Sequence, residues 1–182
     1  MIVALTGTPG IGKTSVSKIL EKNYYVIDLN KIATDKNFII GIDKDRNSKI
    51  VDIEKLNDFI NKSYNKIELV FVEGHISHLL KSVDKVIILR CNPNELRKRL
   101  SKKGWKKEKI KENIEAEILD IILCETVDIL SNKNIFEIDT TKKSIIDVAF
   151  LIKEIVQSDF CNVKSYNIGN IDWSEEILKK FK

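Results

Sequence analysis

Gly7-Thr8-Pro9-Gly10-Ile11-Gly12-Lys13-Thr14 decides the fold of this chain. The stretch fits G-x-x-x-x-G-K-[ST], the phosphate-binding loop, and its surroundings fit as well. The apolar run at residues 2–5 reads as a buried strand, and residues 15–20 read as the first turns of a helix. Strand, glycine loop and helix are the context this motif needs. Glycines at 7, 10 and 12 let successive backbone N–H groups point at one phosphate chain, and the helix N-terminus adds partial positive charge. The motif predicts that Lys13 reaches the β- and γ-phosphates of a nucleoside triphosphate and that the Thr14 hydroxyl ligates Mg²⁺.

Working outward, apolar runs alternate with amphipathic stretches of helical length, the pattern of a parallel sheet with crossover helices. Strands are expected at 2–6, 24–28, 69–73, 85–90 and 135–139. Each is a continuous β-branched or aromatic run, as suits a sheet covered on both faces. Helices are expected at 13–22, 53–63, 93–102, 109–132 and 144–158. Pro93 sits at a helix start, behind Asn92 as a candidate cap. The polar stretch 37–50 around Gly41 resembles a mobile flap, and 102–112, broken at Gly104, is a second polar segment. In the tail, Asp172 to Glu175 would cap a last short helix.

At 182 residues and 43% hydrophobic content, the chain suits one domain with small inserted flaps rather than a large multidomain ATPase. A net charge of +4 permits contact with phosphorylated ligands or nucleic acid without requiring it. Cys91, Cys124 and Cys161 lie far apart and include no C-x-x-C, so neither a disulfide framework nor a zinc ribbon is expected. A cytoplasmic setting follows from that cysteine usage. No apolar run approaches the ~20 residues of a membrane span, and the start lacks the features of a signal peptide.

Three positions and one segment beyond the loop carry the expected chemistry. Glu73, at the tip of the third strand, stands where an acidic residue holds Mg²⁺ in such folds. His75, two residues on, could orient a water or a carboxylate, and with His78 it would share a helix face if a helix began there. Arg90 ends the fourth strand at the same crevice. Only Arg46, Arg90, Arg97 and Arg99 are arginines, which makes Arg90 the best-placed phosphate ligand on sequence grounds. Residues 97–111 hold nine cations against one acid, Glu108, and suit a hinged lid over triphosphate, a solvated helix face, or an RNA platform with Trp105 as the stacking ring.

With V-F-V-E-G-H at 70–75, L-R-C-N-P-N-E-L-R-K-R-L at 89–100, K-K-G-W at 102–105 and K-E-N-I-E-A-E at 111–117 in place, the chain resembles the adenylate kinase isoenzyme-6 family. The resemblance runs from Ile2 to about Leu130 and is most specific between Leu89 and Glu117. It implies a three-layer α/β sandwich of the P-loop NTPase and nucleoside monophosphate kinase type, with a central five-stranded parallel sheet, a monophosphate-binding flap and a small lid. It implies ATP binding at Gly10, Gly12, Lys13, Thr14 and Ser15, a flap at about 28–51, and a lid at 102–112 in which Lys103 replaces the family's arginine. That replacement keeps the charge but loses the bidentate geometry. Thr34 stands where some relatives carry a flap arginine.

The implied activity is Mg²⁺-dependent transfer between ATP and AMP, with ATPase activity besides. The implied biological role is late maturation of the small ribosomal subunit through a small-subunit ribosomal protein and the pre-ribosome. An ATPase switch with little kinase activity is the alternative. A GTPase would need N-K-x-D and D-x-x-G, and neither occurs. The glycine-rich acceptor segment of shikimate kinases is missing after Glu73.

Overall fold

The computed structural model describes residues 1–44, 48–161 and 163–176. In chain order the strands are β1 (Ile2–Gly7), β2 (Tyr25–Asp28), β3 (Ile39–Asp43), β4 (Ser48–Val51), β5 (Val70–Glu73), β6 (Lys85–Arg90) and β7 (Ile135–Asp139). Five of them form one sheet in the order β2-β5-β1-β6-β7, with every pairing parallel. β3 and β4 pair with each other as a separate antiparallel hairpin. The helices are α1 (Lys13–Leu20), α2 (Leu29–Asp35), α3 (Ile53–Tyr64), α4 (Pro93–Lys102), α5 (Lys107–Ile118), α6 (Ile121–Ile129) and α7 (Ile145–Gln157).

The strand residues alternate between two cores, which is why their sequence runs are apolar throughout. Val3, Leu5, Phe71, Ile87 and Leu89 pack with Val16 and Leu20 of α1, Leu96 and Leu100 of α4, and Val148 and Ile152 of α7. Ile2, Ala4, Val70, Val72, Val86 and Ile88 pack on the opposite face with Leu29 and Ala33 of α2 and Leu56 and Ile60 of α3. Helix, sheet and helix make three layers. The pairs Leu56/Ile60 and Leu96/Leu100 are spaced four apart, so each puts two fully buried side chains on one helix face. Burial of each such side chain contributes ~2 kcal/mol.

β1 is the central strand, so chain leaving its C-terminal end emerges between connections that run to opposite sides of the sheet. That crevice is where ligands bind in open α/β sheets. The loop is shaped by close approach. A Cβ on Gly7 (φ 138°) would lie 2.4 Å from the Leu89 carbonyl oxygen of β6. A Cβ on Gly10 would lie 2.4 Å from Leu100 Cδ2 of α4. The two glycines therefore let the loop sit against a strand on one side and a helix on the other.

Three elements differ from the sequence expectation. The 109–132 helix is two helices, α5 and α6, broken at Asp120, whose φ is 53°. Periodicity continues across the break, but the Asp120 carboxylate is drawn to Arg90 and the backbone turns left-handed to reach it. The 37–50 flap contains the β3/β4 hairpin, and α2, unexpected from the sequence, precedes it with Asp28 as its cap. Residues 45–47 of that flap lie outside the described residues. The tail runs back over the sheet edge, where Asn167 bridges Phe136 of β7. Asp172 accepts from the backbone N–H of Ser174 at 2.7 Å, and residues 177–182 of the tail lie outside the described residues.

Candidate active site

Gly12, at φ 118° and ψ 10°, is the N-cap of α1, and its carbonyl accepts from the N–H groups of Ser15 and Val16. The chain thus turns from strand to helix within the loop, and the start of α1 presents backbone N–H groups to the space the loop encloses. Lys13 is only 7% exposed. Its ammonium donates to the carbonyls of Gly7 at 2.6 Å and Thr8 at 3.2 Å, folding back over the loop. Thr14 Oγ1 donates to Glu73 Oε1 at 3.4 Å, which brings together the two expected Mg²⁺ ligands. Both present hard oxygen donors, the set that suits this ion.

The charges around the loop are poised. Burial lowers the Lys13 ammonium to about 8, against the pull of Glu73 and Glu117, with Lys103 pushing it further down. Burial raises Glu73, opposed by Lys13, while Asp28 raises it further. His75 is exposed to the cleft but sits below the ordinary imidazole range, first through partial burial and then through Lys13, His78 and Lys109. His75 and His78 do not share a helix face. A short 3₁₀ turn (Ser77–Leu79) turns His78 inward, between Thr6 Oγ1 at 3.2 Å and Glu125 Oε2 at 2.9 Å.

The Lys13 value has a measurable consequence. A triphosphate held at this loop is expected to bind more weakly as pH rises through about 8, so affinity for ATP should show an alkaline limb there. Stability should move the other way. The native value lies below the ~10.4 of an unfolded lysine, so the native chain sheds its proton first and the cost of burying the charge disappears between those values. An ATP titration and thermal melts from pH 7 to 10 test both slopes, and an alkaline limb no lower than that of a free lysine overturns the assignment.

Arg90 stands elsewhere than expected. It is 2% exposed, and its guanidinium is fully engaged. Nε donates to Glu117 Oε1 at 2.9 Å, one terminal nitrogen donates to Glu137, and the other reaches Asp120 and the Glu117 carbonyl. Burial works against its charge, but Glu117, Glu137 and Asp120 outweigh it and keep it ionised. No face of the guanidinium is left for a phosphate.

The arginine that reaches the loop is Arg99, on α4. It donates to the Ile11 carbonyl at 3.1 Å and to the carbonyls of Thr140 at 3.1 Å and Thr141 at 3.3 Å. It thereby bolts the phosphate loop to the turn between β7 and α7. Nothing local in the sequence marks which of nine neighbouring cations turns inward. Only the packing of Leu96 and Leu100, which fixes the rotation of α4, decides it.

Among the described residues, two cavities open on the loop and another lies beside them under the hairpin. One of about 370 Å³ is walled by Gly10, Gly12, Ser15, Arg99, Lys103 and Thr140. Lys103 thus joins Gly10, Gly12 and Ser15 in one wall. A second, about 430 Å³, lies under the hairpin, with Asn30, Thr34, Lys49 and His75 in its wall. Lys49 Nζ donates to Thr34 Oγ1 at 3.3 Å there. The third, about 500 Å³, runs from Thr8 and Pro9 past His75 to Trp105, whose ring carries Lys109 Nζ 4.9 Å from its centre. His75 stands on the wall common to the second and third cavities.

Residues 3–120 match the family profile described as "AAA domain". The chain is 40% identical over 180 residues to a "Putative adenylate kinase" of Methanocaldococcus jannaschii, covering 98% of this chain and 96% of that one. It is 42% identical over 178 residues to a protein of the same description from Archaeoglobus fulgidus, covering 97% and 94%. Among solved structures, shikimate kinase from Acinetobacter baumannii in complex with shikimate superposes with a TM-score of 0.62, at 15% identity over 88% of this chain and 95% of that chain. That likeness is one of fold. The chain belongs to the nucleotide-kinase family of these archaeal proteins.

Proposed function

We propose that the chain is an Mg²⁺-dependent nucleoside monophosphate kinase that passes the γ-phosphoryl group of ATP to AMP, reversibly giving two ADP. The observation that carries this reading is the arrangement of cavities about one phosphate loop. ATP occupies the cavity of Gly10, Gly12, Ser15, Arg99 and Lys103. The acceptor occupies the cavity under the β3/β4 hairpin, which leads past His75 to the loop. A phosphatase acting on water alone has no use for that second space.

In this reading residues about 28–51 form the acceptor flap, 102–112 the lid and 162–182 an accessory tail of one kinase domain. A phosphate oxygen of AMP attacks the γ-phosphorus as its bond to the β,γ-bridging oxygen breaks, and the electron pair leaves with ADP. Lys13 and Lys103 spread positive charge over the transferring group, and the loop amides fix it in line. Thr14 and Glu73 hold Mg²⁺, which when bound neutralises phosphate charge. His75 lies beside the acceptor's path and orients the attacking group. No covalent enzyme intermediate is required. The relatives' shared description as adenylate kinases favours AMP as acceptor.

A coupled assay of ATP with AMP tests this. ADP formation that depends on AMP and on Mg²⁺ is expected, and hydrolysis of ATP at a rate indifferent to AMP would overturn it. A second reading, an ATPase switch that engages a small-subunit ribosomal protein, draws on the family resemblance and on the exposed cations at Lys102, Lys103, Lys106, Lys107 and Lys111. Such a switch must hold its partner differently with ATP and with ADP, and capture of that ribosomal protein in the two states separates the readings.

A further inference from the structure

A buried polar chain leads away from the phosphate loop and takes no part in holding phosphate. Thr8, 2% exposed, donates its hydroxyl to Glu117 Oε2 at 2.5 Å. Glu117, 3% exposed, is the penultimate residue of α5. Its other oxygen accepts from Arg90 Nε at 2.9 Å and from the backbone N–H of Cys91 at 3.0 Å. Arg90 continues to Glu137, whose second oxygen accepts from Gly169 N–H of the tail at 2.9 Å. The carboxylate of Glu117 therefore cannot rotate. Both oxygens are engaged, one by a strand end of the rigid sheet and one by the loop.

Thr8 is also one of the two residues whose carbonyls hold the Lys13 ammonium. A clamp on its side chain is a clamp on its peptide plane. We propose that Glu117 is a positioning residue of the phosphate loop: through Thr8 Oγ1 it fixes the loop carbonyls that aim Lys13, with Arg90 and the Cys91 amide holding the carboxylate in register. Glu117 touches neither nucleotide nor metal. A carboxylate suits this task because it accepts on both oxygens at once, and a charge-assisted hydrogen bond in a dry site is stiffer than a neutral one. The same contact ties the C-terminal end of α5, whose other end begins at the proposed lid, to the loop that the lid covers.

The inference rests on the kinase reading, and ATP binding tests the two apart. Glu117→Gln disturbs Arg90 as well, so the decisive variant is Thr8→Val, which removes the hydroxyl and leaves Glu117 with Arg90. Calorimetry with Mg²⁺-ATP should show an affinity about tenfold weaker for Thr8→Val, the scale of one lost hydrogen bond to a charged group. kcat/KM for ATP should fall with it, KM for AMP should stay unchanged, and Thr8→Ser should restore both. The double variant Thr8→Val with Glu117→Gln should be no weaker for ATP than Glu117→Gln alone. Wild-type affinity in Thr8→Val, or full additivity in the double variant, overturns the positioning role. A wild-type chain that does not bind ATP overturns the kinase reading and this inference together.

Discussion

Replacing Lys13 by alanine is expected to lower kcat for transfer from ATP by ~10²–10³, the effect of removing one preorganised charge aimed at a developing oxyanion. The structure says why the loss should be large. Lys13 is buried, so its charge acts in a poorly screened setting, and its aim is fixed by two carbonyls of its own loop. ATP affinity should fall too, by about tenfold or more, because the same ammonium helps capture the ground-state triphosphate beside the loop amides. Stability should not fall. Removing an ammonium whose burial already lowers it to about 8 relieves a desolvation cost, so the melting temperature should hold or rise slightly. Steady-state kinetics beside a thermal melt checks both parts, and a variant of unchanged turnover would remove Lys13 from the chemistry.

Replacing Arg90 by methionine is expected to act on stability instead, by about 3–5 kcal/mol. The guanidinium neutralises Glu117, Glu137 and Asp120 together, and two of those carboxylates are as buried as it is. Without it they face one another in a dry site. At 2–4 °C of melting temperature per kcal/mol for a chain of this size, the drop should be on the order of 10 °C. Its pH dependence identifies the cause. Burial already raises Glu137 above the ordinary carboxylate range, and Arg90 is what holds it down. With the arginine gone the native value rises further above the unfolded one, so the native state takes up a proton more readily. The deficit should therefore be greatest near pH 8 and shrink as the solution is acidified towards pH 5. Full stability with a loss of phosphoryl transfer alone would show instead that Arg90 meets the phosphate.

These two residues mark how far local sequence reaches. Lys13 could be placed from eight consecutive letters, because a phosphate loop is a short-range object. Strand, glycines and helix start are contiguous, and the backbone itself is the ligand-binding surface. The parallel sheet was legible for a related reason, since strands buried on both faces must be apolar throughout. Thr14 and Glu73, 59 positions apart, could be paired because each sits at a fixed place, one at the head of α1 and one at the tip of a neighbouring strand.

Arg90 was legible in place and illegible in role. Its position at a strand tip is written in the sequence, but its partners depend on where α5 breaks, at Asp120, which is left-handed and paired with it. Arg99 was hidden among equals until α4 was seated by Leu96 and Leu100. Glu117 lies 109 residues from Thr8, and no periodicity predicts that contact. The sequence by itself determined the layered fold, the phosphate loop and the strand-end carboxylate. Tertiary structure alone decided which cations face the phosphate loop and which face carboxylates, because a side chain's partner depends on how helices rotate as they pack, and that rotation is settled by the whole core at once.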